Sequence, residues 1–405
     1  MSKAIPSTAA GPLKKLRIID LGTMVAGPVI CTYLGDFGAD IIKVEQPNGG
    51  DTVRALGPFK DGESLLWQVE ARNKKSITID LRKPAGQELL KRLVKEADAV
   101  VENFRPGTLE GWNLGYEQLR AVNPRIVLVS VSGFGQTGPL ATRAGYDRIG
   151  LAFSGVMAAT GEENGMPVRV GISAADYSTA TMGAFALMMA LYHRDANGGA
   201  GQHIDLSLYE TMFRFTDSMV TAFDQLDIVR KRTGNVHQLA APGNNFLTSD
   251  GRYLVITISS DSVFRKLCGA IDQPGLATDP RYLTHIQRWQ AVHELNEIVA
   301  RWAGSHTAAE AGAMLDAHGV PYSPLLDVRD IFANPQYEAR GNIVSVQHPK
   351  LGPLKMQSPT PRMLGTPCVA PRAAPELGEH TDLILKDVLR MGDQEISRLR
   401  QDAVI

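Results

Sequence analysis

The first half of the chain alternates between short apolar runs and longer amphipathic ones. "RIIDLG" (Arg17–Gly22), "ADIIKVE" (Ala39–Glu45), "DAVVENF" and "RIVLVSVSGFG" have the length and β-branched content of buried strands. Between them, "GPVICTYLGDFG", "AGQELLKRLVKEA" and "YEQLRAVN" repeat apolar residues at helical spacing. Strand–helix alternation with apolar strands predicts an α/β fold whose parallel sheet is covered on both faces. Such sheets bind ligands beyond the carboxyl ends of their strands. The loops at those ends read "GTMVAGP", "EQPNGGD", "ENFRPG" and "SGFGQTGP". They carry Gly, Pro and amides, and Gly lets backbone approach a ligand closely.

The texture changes after "NGGAGQHIDLSLYET". The pattern predicts one long helix from Tyr209 to about Val229, turn-formers in "GNVHQLAAPGNN", and a strand in "GRYLVITIS". Helices are expected around Asp261–Asp272 and Trp289–Trp302 and at "TAAEAGAMLDAHG". The division expected is a large domain over 1–225, a smaller α+β domain over 226–328, and a return of 329–405 to the large domain. That last part holds "NIVSVQHP", "GPLKMQSP" and a final helix from Thr381.

One stretch, "VRVGISAADYSTATMG" (Val168–Gly183), places a single carboxylate, Asp176, among residues suited to burial. Met182, Phe185, Met189 and Tyr192 follow at helical spacing. Asp176 is therefore either an N-cap, accepting a bond from an early helical N–H, or a nucleophile kept ionised by the positive end of the helix. Local pattern does not separate the two.

Composition narrows the function. The 405 residues are 44% hydrophobic and 21% charged, with a formal net charge of −1. That is ordinary globular composition, with nothing to attract nucleic acid or an anionic membrane. The greasiest stretch, Ala184–Tyr192, is too short to span a bilayer. The opening "MSKAIPSTAAGPLKK" lacks the apolar core of a signal peptide and reads as a loose tail. Cys31, Cys268 and Cys368 are odd in number and far apart, which suits buried thiols in a reducing cytoplasm. The nine His show no metal-ligand spacing, so no metal is expected. A nicotinamide site is disfavoured because the first turn reads "GTMVAG" rather than GxGxxG.

Ten fragments in order, among them "LGTMVAGP", "FGADIIKVEQP", "NKKSITIDL", "ADAVVENFRPG", "GISAADYSTATMG", "GQHIDLSLYE" and "LGEHTD", resemble the family III CoA-transferases. The related α-methylacyl-CoA racemases share them. The resemblance runs from about Leu16 to the end. It implies a Rossmann-like large domain, a small domain and an interlocked homodimer. It puts the family's nucleophilic aspartate on Asp176, after a short hydrophobic strand. It implies no permanent cofactor, with CoA and acyl-CoA as substrate. CoA contacts would fall on Val25 and Ala26, Arg82, Asn103, Phe104, Arg105, Arg143 and Tyr146. Arg suits the CoA phosphates through paired N–H donors. Gln46, and Gly111 followed by Trp112, stand where formyl-CoA transferases place Arg. Arg105 or Arg54 would then compensate.

The racemases carry a "GHD" motif whose His moves the α-proton. This chain has "GYD", Gly145–Tyr146–Asp147, and a phenol with pKa near ~10 is a poor proton shuttle. The resemblance therefore implies CoA transfer between an acyl-CoA, succinyl-CoA among the donors, and a small carboxylic acid. The alternatives are a racemase-like enzyme and a non-catalytic subunit of a hetero-oligomer. Gly243, Asn244 and Asn245 are the expected oxyanion donors. Arg54, Arg72 and Arg169 are the expected partners for a second substrate carboxylate.

Overall fold

The structure, a computed structural model, describes residues 11–237 and 239–405. Most of the expected N-terminal tail, residues 1–10, lies outside the described residues. The described residues divide into two compact units: those within 1–156, 169–226 and 336–405 form the first, and those within 157–168 and 227–335 the second.

The first unit is built on a six-stranded sheet. In chain order come β1 (Arg17–Asp20), α1 (Ala26–Asp36), β2 (Asp40–Glu45), a short hairpin of β3 (Phe59–Lys60) and β4 (Glu63–Ser64), and α2 (Leu65–Glu70). Then follow β5 (Lys74–Thr78), α3 (Pro84–Lys95), β6 (Ala99–Glu102), α4 (Thr108–Gly111), α5 (Tyr116–Val122) and β7 (Val127–Ser132). The chain continues through α6 (Asp147–Phe153), α7 (Ala174–Ala196), β8 (His203–Ser207), α8 (Leu208–Arg214) and α9 (Met219–Leu226). The sheet order is β5-β2-β1-β6-β7-β8, with every pairing parallel.

Successive residues of each strand face opposite sides, so the two faces have separate cores. Ile19, Ile42, Val100 and Leu128 pack with Leu89, Leu90 and Leu93 of α3. Two C-terminal helices, Thr381–Asp387 and Asp393–Gln401, complete that face with Ile384, Leu385 and Ile396. Ile18, Ile41, Val101 and Val129 pack instead with Val29, Ile30 and Leu34 of α1 and Leu187 and Leu191 of α7. Because β7 and β8 are parallel, the connection carrying α7 must return the chain from the carboxyl end of β7 to the start of β8. The first turn of α7 therefore lies on the carboxyl-end side of the sheet.

The second unit has an antiparallel sheet of β9 (Gly243–Leu247), β10 (Tyr253–Thr257) and β11 (Tyr322–Pro324). Helices at Asp261–Ala270, Val292–Gly304 and Ala308–His318 cover it through Phe264, Leu295 and Leu315. Segment 157–168, expected in the large domain, joins this unit because Gly161 O accepts from Gly234 N and Arg232 donates to Ala158 and Glu162 carbonyls. Residues 329–335 join it too, through the Arg252–Asp330 ion pair of 2.9 Å.

Two expected helices and one expected strand need correction. The long helix from Tyr209 is two, α8 and α9. The Thr216 hydroxyl bonds the Phe213 carbonyl at 2.8 Å, and Asp217 takes a left-handed φ of 45°. The final helix from Thr381 is likewise two, with Arg390 left-handed between them at φ 57°. No strand precedes Asp176: residues 169–173 are irregular. Among the described residues no helix is long and apolar enough to cross a membrane.

Candidate functional site

Asp176 is the third residue of α7, not its cap. Ser173 holds the N-cap position and makes no side-chain capping bond. The missing acceptor comes from 28 residues upstream. Asp147, the first residue of α6, takes the amides of Ala175 at 2.7 Å and Asp176 at 3.2 Å on one oxygen. This frees the Asp176 side chain from capping. Asp176 is half-buried, and among the described residues its carboxylate has no hydrogen-bond or ionic partner. Burial first, and the negative charge of Asp147 second, push its pKa up to about 7. That reverses the expectation that the helix terminus simply keeps it ionised. Tyr177, the next residue, donates to buried Glu70 at 2.6 Å and ties this turn to α2.

The "GYD" triplet owes its position to a close backbone crossing. A Cβ on Gly145 would lie 2.7 Å from the Gly133 Cα, and the converse distance is the same, so both must be Gly. Tyr146 precedes α6 and is 69% exposed, leaving its ring face free among the described residues. Arg143 is exposed, its guanidinium 5.8 Å from the centre of the Phe134 ring.

The expected CoA contacts divide into those the fold joins and those it does not. Val25 and Ala26 are buried at the start of α1. Asn103 clasps their turn: its side chain accepts from Thr23 N and donates to Thr23 O, both at 2.7 Å. The turn after β1 and the loop after β6 are thus one structure. Phe104 meets Trp112 edge to face at 5.3 Å, which gives Trp112 a packing role. Arg105 is exposed and its guanidinium has no partner among the described residues. Arg82 stands apart beyond the edge strand β5. Its guanidinium forks onto Asp80 at 2.8 and 3.0 Å.

Beneath this loop lies a buried carboxyl that sequence reasoning missed. Glu102, 5% exposed at the end of β6, accepts from Phe104 N at 2.7 Å. Burial pushes its pKa up to about 7, against the pull of the Ser130 hydroxyl and the Phe104 amide. Ser130 in turn bonds His203 at 2.8 Å. In sequence, a Glu ending an apolar strand looks solvated, and only the register with Ser130 shows otherwise.

The fold engages several of the other expected residues to different degrees. Arg54 forks onto Glu45 at 2.8 Å on each arm and lies 3.8 Å over Trp67. Arg72 forks onto Asp36 at 2.9 and 2.5 Å. Neither is free for a substrate carboxylate or a phosphate. Arg169 is exposed and bonds Val170 O at 2.9 Å. Of the expected oxyanion donors, Gly243 N is engaged by Asn296 at 3.0 Å and Asn245 N by Asn244 at 2.7 Å. Among the described residues no group of three His, Cys, Asp or Glu could hold a metal.

A family model described as CoA-transferase family III matches residues 13–381. The succinyl-CoA–D-citramalate CoA-transferase of Chloroflexus aurantiacus is 42% identical over 395 residues, covering 97% of this chain and 98% of that protein. The beta subunit of succinyl-CoA–L-malate CoA-transferase from the same organism is 40% identical, covering 98% and 99%. Among solved structures, a CaiB/BaiF family protein from Brucella suis superposes with a TM-score of 0.83 at 35% identity, covering 93% of this chain and 99% of that one.

Proposed function

The chain belongs to CoA-transferase family III, and on that premise we propose that it moves CoA from succinyl-CoA to a second dicarboxylic acid with Asp176 as covalent carrier. Two of the relatives named above are a succinyl-CoA–D-citramalate CoA-transferase and a subunit of a succinyl-CoA–L-malate CoA-transferase. The observation that carries the assignment of Asp176 is its unpartnered carboxylate. A half-buried carboxylate with no cation or donor costs stability, and a nucleophile must be free to attack.

The ionised Asp176 attacks the thioester carbonyl, forming an acyl–aspartyl anhydride and releasing CoA thiolate. The thiolate attacks the aspartyl carbonyl, giving aspartyl-CoA thioester and the free donor acid. The acceptor carboxylate attacks that thioester, expelling thiolate and forming a second anhydride. Thiolate then attacks the acceptor's carbonyl and regenerates Asp176. Each step exchanges one acyl bond for another, so no nucleotide is consumed. Water must be kept out, because anhydride and thioester both hydrolyse. Asp147 fixes the turn that presents the nucleophile. The joined loops bearing Val25, Ala26, Asn103, Phe104 and Arg105 hold CoA in this reading, and Arg143 and Tyr146 of the "TRAGYD" segment contribute further contacts.

A homodimer fits the exposed apolar stripe of α7, where Phe185, Met189 and Tyr192 are each more than half exposed. The three free, buried cysteines fit a cytoplasmic setting. One relative is a subunit of a two-chain enzyme, so turnover by this chain alone is the discriminating measurement for a silent-subunit reading. The test of the chemistry is trapping. Incubation with succinyl-CoA and then hydroxylamine or borohydride should modify the peptide containing Asp176, whereas modification elsewhere, or none during turnover, would overturn the assignment.

A further inference from the structure

The turn joining β1 to α1 rests on a buried group of charges that the mechanism does not use. Lys43, on β2, and Lys74, on β5, are each about 1% exposed at the side chain. The Lys43 ammonium donates to Gly22 O, pairs with Asp51 at 3.0 Å and lies 3.6 Å from Asp20. The Lys74 ammonium bonds Asp20 at 2.9 Å and Pro28 O at 2.7 Å. Asp20 accepts from Gly22 N at 3.0 Å. Asp51 accepts from Met24 N at 3.2 Å and from Val53 N at 3.0 Å. With Asn103 on the backbone N–H and C=O of Thr23, side chains from β1, β2, β5 and the loops after β2 and β6 grip the turn at Gly22, Thr23, Met24 and Pro28.

Two features favour a role in shape over one in stability. Burying ion pairs in place of apolar packing is neutral or costly. Met24 also sits at a left-handed φ of 64°, which a non-glycine residue holds only when its surroundings over-determine it. Burial pulls the Lys43 pKa down, but Asp20, Asp51 and Glu45 overcome that and hold the ammonium charged. Burial pulls the Asp51 pKa up, and Lys43 with the Val53 and Met24 amides more than reverses it. Lys43 and Asp51 are therefore held charged against each other at neutral pH.

We propose that Lys43 and Asp51 are positioning residues that lock the Gly22–Ala26 turn in the shape that receives CoA. They touch the turn's backbone and not the reacting atoms. The proposal rests on the reading of Val25, Ala26 and Arg105 as CoA contacts.

The experiment measures CoA affinity by calorimetry, and the KM of each substrate, in Asp51→Asn, Lys43→Met, Val25→Trp and Arg105→Ala. Thermal melts confirm that each variant is folded. Asp51→Asn keeps the volume and one acceptor oxygen, so it stands in if Lys43→Met does not fold. The clamp variants should weaken CoA about tenfold and raise the KM of acyl-CoA in step, with turnover at saturation and the KM of the acceptor acid nearly unchanged. A merely structural role would lower the melting temperature without that split. Folded clamp variants with CoA affinity within about twofold of wild type, while Val25→Trp or Arg105→Ala weakens it, would overturn the positioning role alone. If Val25→Trp and Arg105→Ala both bind CoA normally, the reading of these loops as the CoA site fails, and the proposal with it.

Discussion

Replacing Asp176 by Asn removes one negative charge and almost no volume, and its two consequences run in opposite directions. In the folded chain Asp176 keeps its proton up to about pH 7, against an ordinary value of 3.8. Between those values the folded state binds more protons than the unfolded one. Stability therefore falls as pH rises from about 4 to about 7, and the full penalty stands above pH 7. A difference of this size corresponds to about 4 kcal/mol at most. Solvent reaching the half-buried carboxylate reduces it, so roughly 2–4 kcal/mol is expected at pH 8. Asp176→Asn abolishes the penalty, since an amide carries no charge. It disturbs no cap, because Asp147 supplies the acceptor for the first turn of α7. The variant should melt several degrees above wild type at pH 8 and level with it near pH 4. CoA transfer should be lost, because an amide cannot form the anhydride. Melts at the two pH values and a transfer assay, with mass checked for deamidation, test both halves. An Asn variant less stable than wild type at pH 8 would refute the electrostatic reasoning. Near-normal turnover without deamidation would refute the nucleophile.

Wild-type transfer should rise with pH through about 7 as Asp176 ionises, and in Asp147→Asn that limb should move to lower pH because a neighbouring negative charge is gone; an unmoved limb in the kcat/KM profile would show that another group controls it. Asp147→Ala, which leaves the Ala175 and Asp176 amides without their acceptor, should cost about 1–2 kcal/mol by denaturant titration. Tyr146→His should bind acyl-CoA yet fail to become an efficient racemase, and wild-type exchange of the α-proton of a 2-methylacyl-CoA with deuterated water at the rate of transfer would contradict the branch chosen. Gly145→Ala places a methyl 2.7 Å from the Gly133 backbone and should cost roughly 1–3 kcal/mol, while a silent variant would mean the two loops yield easily.

The alternation of apolar strands and amphipathic helices was legible because β1, β2, β6 and β7 bury nearly every side chain. β5 and β8 were not read as strands, for a shared reason. Their segments, "KKSIT" and "HIDLS", carry charged and polar residues that gain partners only across the sheet, as Lys74 does from Asp20 and His203 from Ser130. The same blindness hid the clamp under the first turn: Asp20, Lys43 and Asp51 look like surface charges one at a time. Asp176 stood out through a quoted motif, while its supporting acceptor, Asp147, left no local signal at a separation of 29 residues from the amide it holds. Arg54 and Arg72 misled in the opposite sense. Their charge suggested a substrate, and the fold had already answered it with Glu45 and Asp36.

The last two helices cover one face of the main sheet, and this sets an order on the birth of the molecule. Ile384, Leu385 and Ile396 share a core with Ile19, Ile42 and Ile77, and Val404 O receives the Asp80 amide. A chain emerging from the ribosome makes β1, β2 and β5 long before those partners exist. The second unit, which lies between, is complete by residue 335 and is free to fold first. The nascent first unit must carry an uncovered apolar face until residues 381–401 have been synthesised. Chains stalled or clipped before residue 381 should therefore expose apolar surface that chaperones and proteases recognise.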